Sequence, residues 1–167
     1  ENASLIRVIA SNGNSDGKVT DPKYLTMGNS NRIHVSDSGN HRIQIFDRNG
    51  TFLLGVGSSG SGNGQFNQPH GITISPDGEI FVADRHNHRI QVFDANGNFL
   101  RKFGSQGNLE GQFNQPIDLD FDDNGNLIVL SHGNNRVIYL TPAGQYLRHW
   151  SCSGGSQYLR DLNNGLV

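Results

Sequence analysis

The sequence predicts an all-β chain: a partial β-propeller of four-stranded antiparallel blades, with about three blades plus an extra outer strand. Three observations predict it. A step of forty-seven residues links Pro22, Pro69 and Pro116, then Gly50, Gly97 and Gly144, and the pairs Phe52-Leu53, Phe99-Leu100 and Tyr146-Leu147. A fixed period of that size marks a repeat architecture. Within the middle repeat, four short segments alternate apolar and polar residues, as half-buried strands do. Between them stand Pro-Asp-Gly and Asn-Gly turns suited to tight hairpins. A solenoid would use shorter coils without regular hairpins, and a sandwich needs no fixed period, so radially arranged blades fit best.

Taken in order, residues 5–10 align with the fourth strand of the middle repeat and are expected to be the outer strand of a preceding blade. A first complete blade follows at 19–57. The middle blade, 66–104, carries strands "GITIS" (71–75), "EIFVAD" (79–84), "RIQVFD" (89–94) and "NFLRKFG" (98–104). Its first and third turns are "SPDGE" and "DANGN", and "RHNH" joins its second and third strands. The Gly-rich "SQGNLEGQFNQP" (105–116) leads to a third blade at 113–151. After Trp150 the register is lost, and 152–167 reads as a tail or the start of a further blade. Open blade faces and sheet edges favour burial against another surface, so the chain is expected to be either an excised fragment or a homo-oligomer.

Composition narrows the function classes. The 167 residues carry a net charge of −2, so no global basic field points to nucleic acid. The 22 glycines signal turns rather than disorder, because apolar blocks recur between them. No apolar run approaches the length of a membrane span and no signal-peptide pattern occurs. A single cysteine, Cys152, excludes an intrachain disulfide framework and suits a reducing compartment. The expectation is a cytoplasmic protein without a membrane segment.

The run "FNQPHGITISPDGEIFVADRHNHRIQVFDANGNFLRKFGSQG" resembles an NHL repeat almost throughout. The resemblance covers about residues 5–157 and loosens in the third copy, where Ser131, Asn135 and Thr141 replace Asp, His and Asp. It is greatest to the NHL domains of tripartite-motif proteins, and it implies a ring of about six blades, of which this chain supplies a part. It also implies an interaction module, often the substrate-recruiting part of a ubiquitin ligase, with single-stranded or stem-loop RNA as the alternative ligand.

Two sets of polar residues follow from the repeat. Asp37, His41 and Arg42 recur as Asp84, His88 and Arg89, with Asn134 and Arg136 in the third copy. A catalytic group is needed once, whereas these occur in successive copies. They are expected to be scaffold, the Asp accepting hydrogen bonds from the following loop and from the His or Arg that opens the third strand. The positions that differ among copies are the candidates for binding. Lys23, Tyr24, His70, Arg85, His86 and His132 are placed by chain direction on one face of the disc, and loops on a rigid scaffold are where binding resides.

Enzymatic readings find little support. Peptidyl-amidating lyases, which resemble NHL propellers, place a zinc-binding His after the Pro of several repeats, but only His70 stands there, with Lys23 and Ile117 in the other copies. His86 and His88, two residues apart at a strand entrance, are expected to point to opposite faces. No serine lies in a nucleophile elbow, and "GSSGSGNGQ" (57–65) lacks the Lys-Ser/Thr of a phosphate loop. No catalytic residue, metal or cofactor is therefore expected. Phe46, Phe93 and Phe103 are expected to be core, and Trp150, standing where Phe103 and Val56 stand, is expected to pack.

Overall fold

A computed structural model describes residues 10–151, so most of the strand expected at 5–10, and the segment 152–167 with Cys152, lie outside the described residues. Three four-stranded antiparallel sheets follow one another. The first blade holds β1 (Pro22–Met27), β2 (Ile33–Asp37), β3 (Arg42–Phe46) and β4 (Phe52–Val56). The second holds β5 (Pro69–Ile74), β6 (Ile80–Asp84), β7 (Arg89–Phe93) and β8 (Phe99–Phe103). The third holds β9 (Pro116–Phe121), β10 (Leu127–Ser131), β11 (Arg136–Leu140) and β12 (Tyr146–Ser151). Strand order in each sheet is chain order, and β1, β5 and β9 pack against one another at the centre. These sheets agree with the β-propeller class expected from the repeat.

Each blade alternates side chains to its two faces, and successive blades bury the facing sets. Ile43, Ile45 and Val56 of the first blade meet Ile72, Ile80, Val82 and Phe93 of the second. The second blade's other face, with Phe81, Ala83 and Val92, meets Leu119, Leu127, Val129 and Ile138 of the third. Each fully buried Leu, Ile or Phe contributes roughly 1.5–3 kcal/mol over leaving it exposed, so these two joints dominate stability. The connecting loops join the same cores, because Phe66 and Phe113 are completely buried.

Those loop phenylalanines explain a glycine at the end of the preceding sheet. Gly104 has φ +91°, and a Cβ there would lie 2.3 Å from the Phe113 ring; Gly57 stands in the same relation to Phe66. Gly104→Ala therefore combines backbone strain with overpacking and is expected to cost about 2 kcal/mol. The urea midpoint would fall at unchanged slope.

One recurrent irregularity positions the central residues. The innermost strand of each blade carries one extra residue just after its Pro, between Pro22 and Leu25, Pro69 and Ile72, and Pro116 and Asp118. Such a bulge bends the strand and re-aims the side chains beside it. The re-aimed positions include Lys23, Tyr24 and His70.

The loops between second and third strands are short 3-10 turns, Ser38–Asn40, Arg85–Asn87 and His132–Asn134. His41, His88 and Asn135 follow in the left-handed conformation at φ 54°, 54° and 51°. His86 thus lies in a turn rather than at a strand entrance, and strand alternation does not apply to the pair His86 and His88.

Candidate functional site

The repeated polar set forms a hub at the end of each second strand. Asp84 is fully buried and accepts hydrogen bonds from Asn67 N–H at 2.8 Å, Asn87 Nδ2 at 2.9 Å, Arg89 Nε at 2.8 Å and Gln91 Nε2 at 3.0 Å. Asp37 takes the same four donors in the first blade, from Thr20 N–H, Asn40, Arg42 and Gln44. The donors reach on to the incoming loop. Arg89 donates to the carbonyls of Ser61, Gly62 and Gln65, and Asn87 to that of Gly60. A buried carboxylate so supplied holds the loop to its sheet and leaves no polar group stranded.

The histidines depart from the expected scheme. His41 and His88 do not donate to the Asp; each imidazole Nδ1 accepts the backbone N–H of the next blade, Gln68 for His41 and Gln115 for His88, both at 3.1 Å. Their left-handed backbone turns the ring away from their own blade and across the joint. The third blade keeps a reduced version. Ser131 Oγ accepts Asn114 N–H at 2.8 Å, Asn134 donates to the Gly107 carbonyl, and Arg136 donates to the Asn108 carbonyl.

The unrepeated residues lie at the same end of the strands and fall into an inner and an outer group. Tyr24 Oη donates to Asp118 Oδ2 at 2.5 Å, joining the first and third blades across the centre. Burial, then the bond to Asp118, pushes the Tyr24 hydroxyl pKa up, and burial raises that of Asp118. His70 Nδ1 stands 2.8 Å from the Ile117 carbonyl, so Nδ1 carries the proton, and Nε2 makes no hydrogen bond among the described residues. Burial foremost, then the nearby Arg85 and Lys23 charges, lower the His70 pKa against the pull of its Ile117 hydrogen bond and of Asp118, and the ring is neutral at physiological pH. Lys23 pairs with Asp21 at 2.5 Å.

Arg85 donates from Nη2 to Gln115 Oε1 at 3.1 Å, while its Nε is buried without a hydrogen-bond partner. Farther out, His86 Nε2 donates to Gln68 Oε1 at 2.9 Å. His132 is exposed and reaches Gln115 only through its backbone N–H. Lys23, Tyr24, His70 and Arg85 are therefore brought together, whereas His86 and His132 sit on separate loops. Among the described residues, no group of three or more His, Cys, Asp or Glu is placed to hold a metal ion.

Three polar participants stand out only in the structure. Gln68 accepts from His86 and Gln115 from Arg85, and both have φ above +50° immediately before a Pro. Asp120 accepts from Thr73 Oγ1 at 3.1 Å and, with Tyr24 and Asp118, lines a cavity of about 500 Å³ that opens along the third blade. The central approach depends on Gly71, where a Cβ would lie 2.7 Å from the Asp118 Cα. Repetition of the pre-Pro position was the signal that could have drawn attention to Gln68 and Gln115.

The NHL repeat family matches residues 66–93, and a family described as a 6-bladed beta-propeller matches residues 2–79. No curated protein sequence matches the chain. Among solved structures it is similar to a streptogramin B lyase, at 20% identity and TM-score 0.61 over 77% of this chain and 39% of that one. It is similar to virginiamycin B lyase from Staphylococcus aureus, at 17% identity and TM-score 0.63 over 78% and 41%. A third is Kuenenia stuttgartiensis hydrazine synthase, at 17% identity and TM-score 0.64 over 81% and 38%. Identities this low show a shared fold alone, and the chain spans about two fifths of the length of these structures. The expected kinship with tripartite-motif proteins gains no support from these neighbours, which are bacterial propeller proteins. The repeat match, the six-bladed match and the four-stranded sheets together support an NHL-type β-propeller fold for this chain.

Proposed function

We propose that the chain is a non-enzymatic interaction module that docks a protein partner on the face carrying Lys23, Tyr24, His70, Arg85, His86 and His132. One contrast carries this reading. The repeated carboxylates are supplied with donors by the scaffold, whereas His70 Nε2 and the His132 ring make no hydrogen bond among the described residues. Polar groups left over on a rigid, loop-bearing face are available for recognition. RNA would need a continuous positive groove with free stacking surfaces. Here Lys23 is neutralised by Asp21, and Tyr24 is tied to Asp118 next to Asp120. That balance favours a protein.

The test is quantitative affinity capture with three baits. These are the unaltered chain, a face variant (Lys23→Ala, Arg85→Ala, His86→Ala) and a control (Arg48→Ala, Asp77→Ala, Asp123→Ala) altered in turns at the opposite strand ends. The face variant is expected to lose partners by at least about tenfold, with the control and nuclease treatment changing nothing. Capture that is nuclease-sensitive and falls steeply with salt would replace this reading with RNA binding.

A further inference from the structure

We propose that the joint between the first and second blades is an acid-sensitive latch, in which a proton taken up by His34 frees the first blade from the other two. The two joints are not built alike. At the second joint Phe81 is completely buried and lies edge-on to Phe121, 5.1 Å between ring centres, with the Arg101 guanidinium 5.5 Å from its own ring centre. One repeat earlier, facing the first joint, the residue is His34, and the third copy carries Ile128 there. His34 is buried to 4% exposure, and its Nδ1 has no hydrogen-bond partner. An imidazole thus stands where the other copies place a hydrocarbon, and only the neutral ring suits such a site.

Nothing around the ring favours its charged form. Thr26 of β1 and Ile45 of β3 stand opposite it in register. Ile45 belongs to the cluster with Ile72, Val82 and Phe93 of the second blade, against which Leu54 and Ile74 also pack. A Cβ on Gly28 would lie 2.5 Å from His34 Nε2, so the ring rests directly against that backbone. Among the described residues Arg32 is the one charged group that acts on the ring, and it opposes protonation. The nearby carboxylates are engaged elsewhere: Glu79 pairs with Arg101, Asp84 is enclosed in its hub, and Asp47 and Asp94 close their own hairpins. The bonds accepted by His41 and His88 also need an unprotonated Nδ1, but they occur once in each joint and leave the difference to His34. A freed first blade loses the cover of Ile43, Ile45 and Val56, so its release is a local unfolding of one blade. The open form takes its proton near pH 6.5 and the closed form only at about 4, so release becomes roughly 20-fold more frequent between pH 7 and pH 5. On the docking-face reading above, on which this consequence rests, release carries Lys23 and Tyr24 away from His70 and Arg85 and breaks the bond from Tyr24 to Asp118, so acid would shed the partner.

The test needs no partner, so its failure is separate from that of the docking reading. Hydrogen–deuterium exchange of the 167-residue chain is measured at pH 7 and pH 5, with and without mild urea, and corrected for the pH dependence of exchange itself. At pH 5 the amides of β2 and β3 are expected to lose protection roughly 20-fold, with little dependence on urea. Those of β10 and β11 should stay more protected and respond to urea, as strands that open only in global unfolding. His34→Leu and His34→Phe, the second placing there the side chain of the second blade, should each remove most of the acid response, with circular dichroism to certify folding. The comparison of blades in the unaltered chain decides even where a variant does not fold. Equal protection and equal urea dependence in the first and third blades at pH 5 would overturn the proposal, because the chain would then open as one unit. First-blade protection indifferent to pH, or an acid response that survives both substitutions, would also overturn it.

Discussion

Asp84→Ala is expected to destabilise the chain by about 3–5 kcal/mol, the usual consequence of removing one partner of a buried ion pair. Arg89 is almost as buried as the carboxylate it serves, with 7% of its side chain exposed against 0% for Asp84. Without Asp84 its charge keeps only carbonyl acceptors, the Asn67 N–H loses its acceptor, and Asn87 and Gln91 keep only the Gly60 and Gln65 carbonyls. Domains of this size are stable by about 5–15 kcal/mol, so the loss is a large share of the total. Asp37→Ala should cost less, about 2 kcal/mol, because Arg42 is 14% exposed and keeps Asp16 at 3.1 Å. Urea unfolding of both variants checks the ranking. Equal losses below about 1 kcal/mol would mean that the hubs do not hold the loops.

Acidification supplies the second large effect, and it comes from His34. The ring is 4% exposed in β2, opposite Thr26 and Ile45, and its Nδ1 has no hydrogen-bond partner. Burial, helped by the Arg32 charge, lowers its pKa to about 4. An unfolded histidine takes its proton near 6.5, so the folded form is favoured fully above that pH. Between 6.5 and 4 the unfolded chain binds a proton that the fold refuses, and stability falls by up to about 3 kcal/mol as pH is lowered. His70, His86 and His88, lowered in the same direction by burial, add to the slope. His34→Leu removes one titration and should flatten the profile by about 2–3 kcal/mol over that window. A variant profile parallel to that of the unaltered chain would refute the assignment.

How much of this was legible in the sequence depends on where each contact is made. The propeller class follows from the forty-seven-residue step, because strand alternation and hairpin turns are local and repeat with it. The role of Asp84 was legible in part, since a carboxylate with a His and an Arg in successive copies suggests a shared hydrogen-bonded unit. The roles of His41 and His88 were not. Their rings accept a backbone N–H of the next blade, a partner that lies outside their own repeat. The bond from Tyr24 to Asp118 spans 94 residues and required the ring geometry to be known. Trp150 was expected to pack, and it does stack at 4.9 Å on Tyr139. It remains 45% exposed because its face has no neighbouring blade among the described residues.

The proposed division between residues that build the blades and residues that dock a partner makes one direct demand on experiment. In hydrogen–deuterium exchange of the chain with a captured protein partner, backbone protection should rise at 21–24, 67–70, 85–88 and 114–118. These segments lie at the end of the strands where the unrepeated side chains converge. Exchange should stay unchanged at the hairpin turns 47–51, 94–98 and 141–145, at the opposite strand ends. Protection confined to those hairpins, with none at Arg85 and His86, would contradict the account.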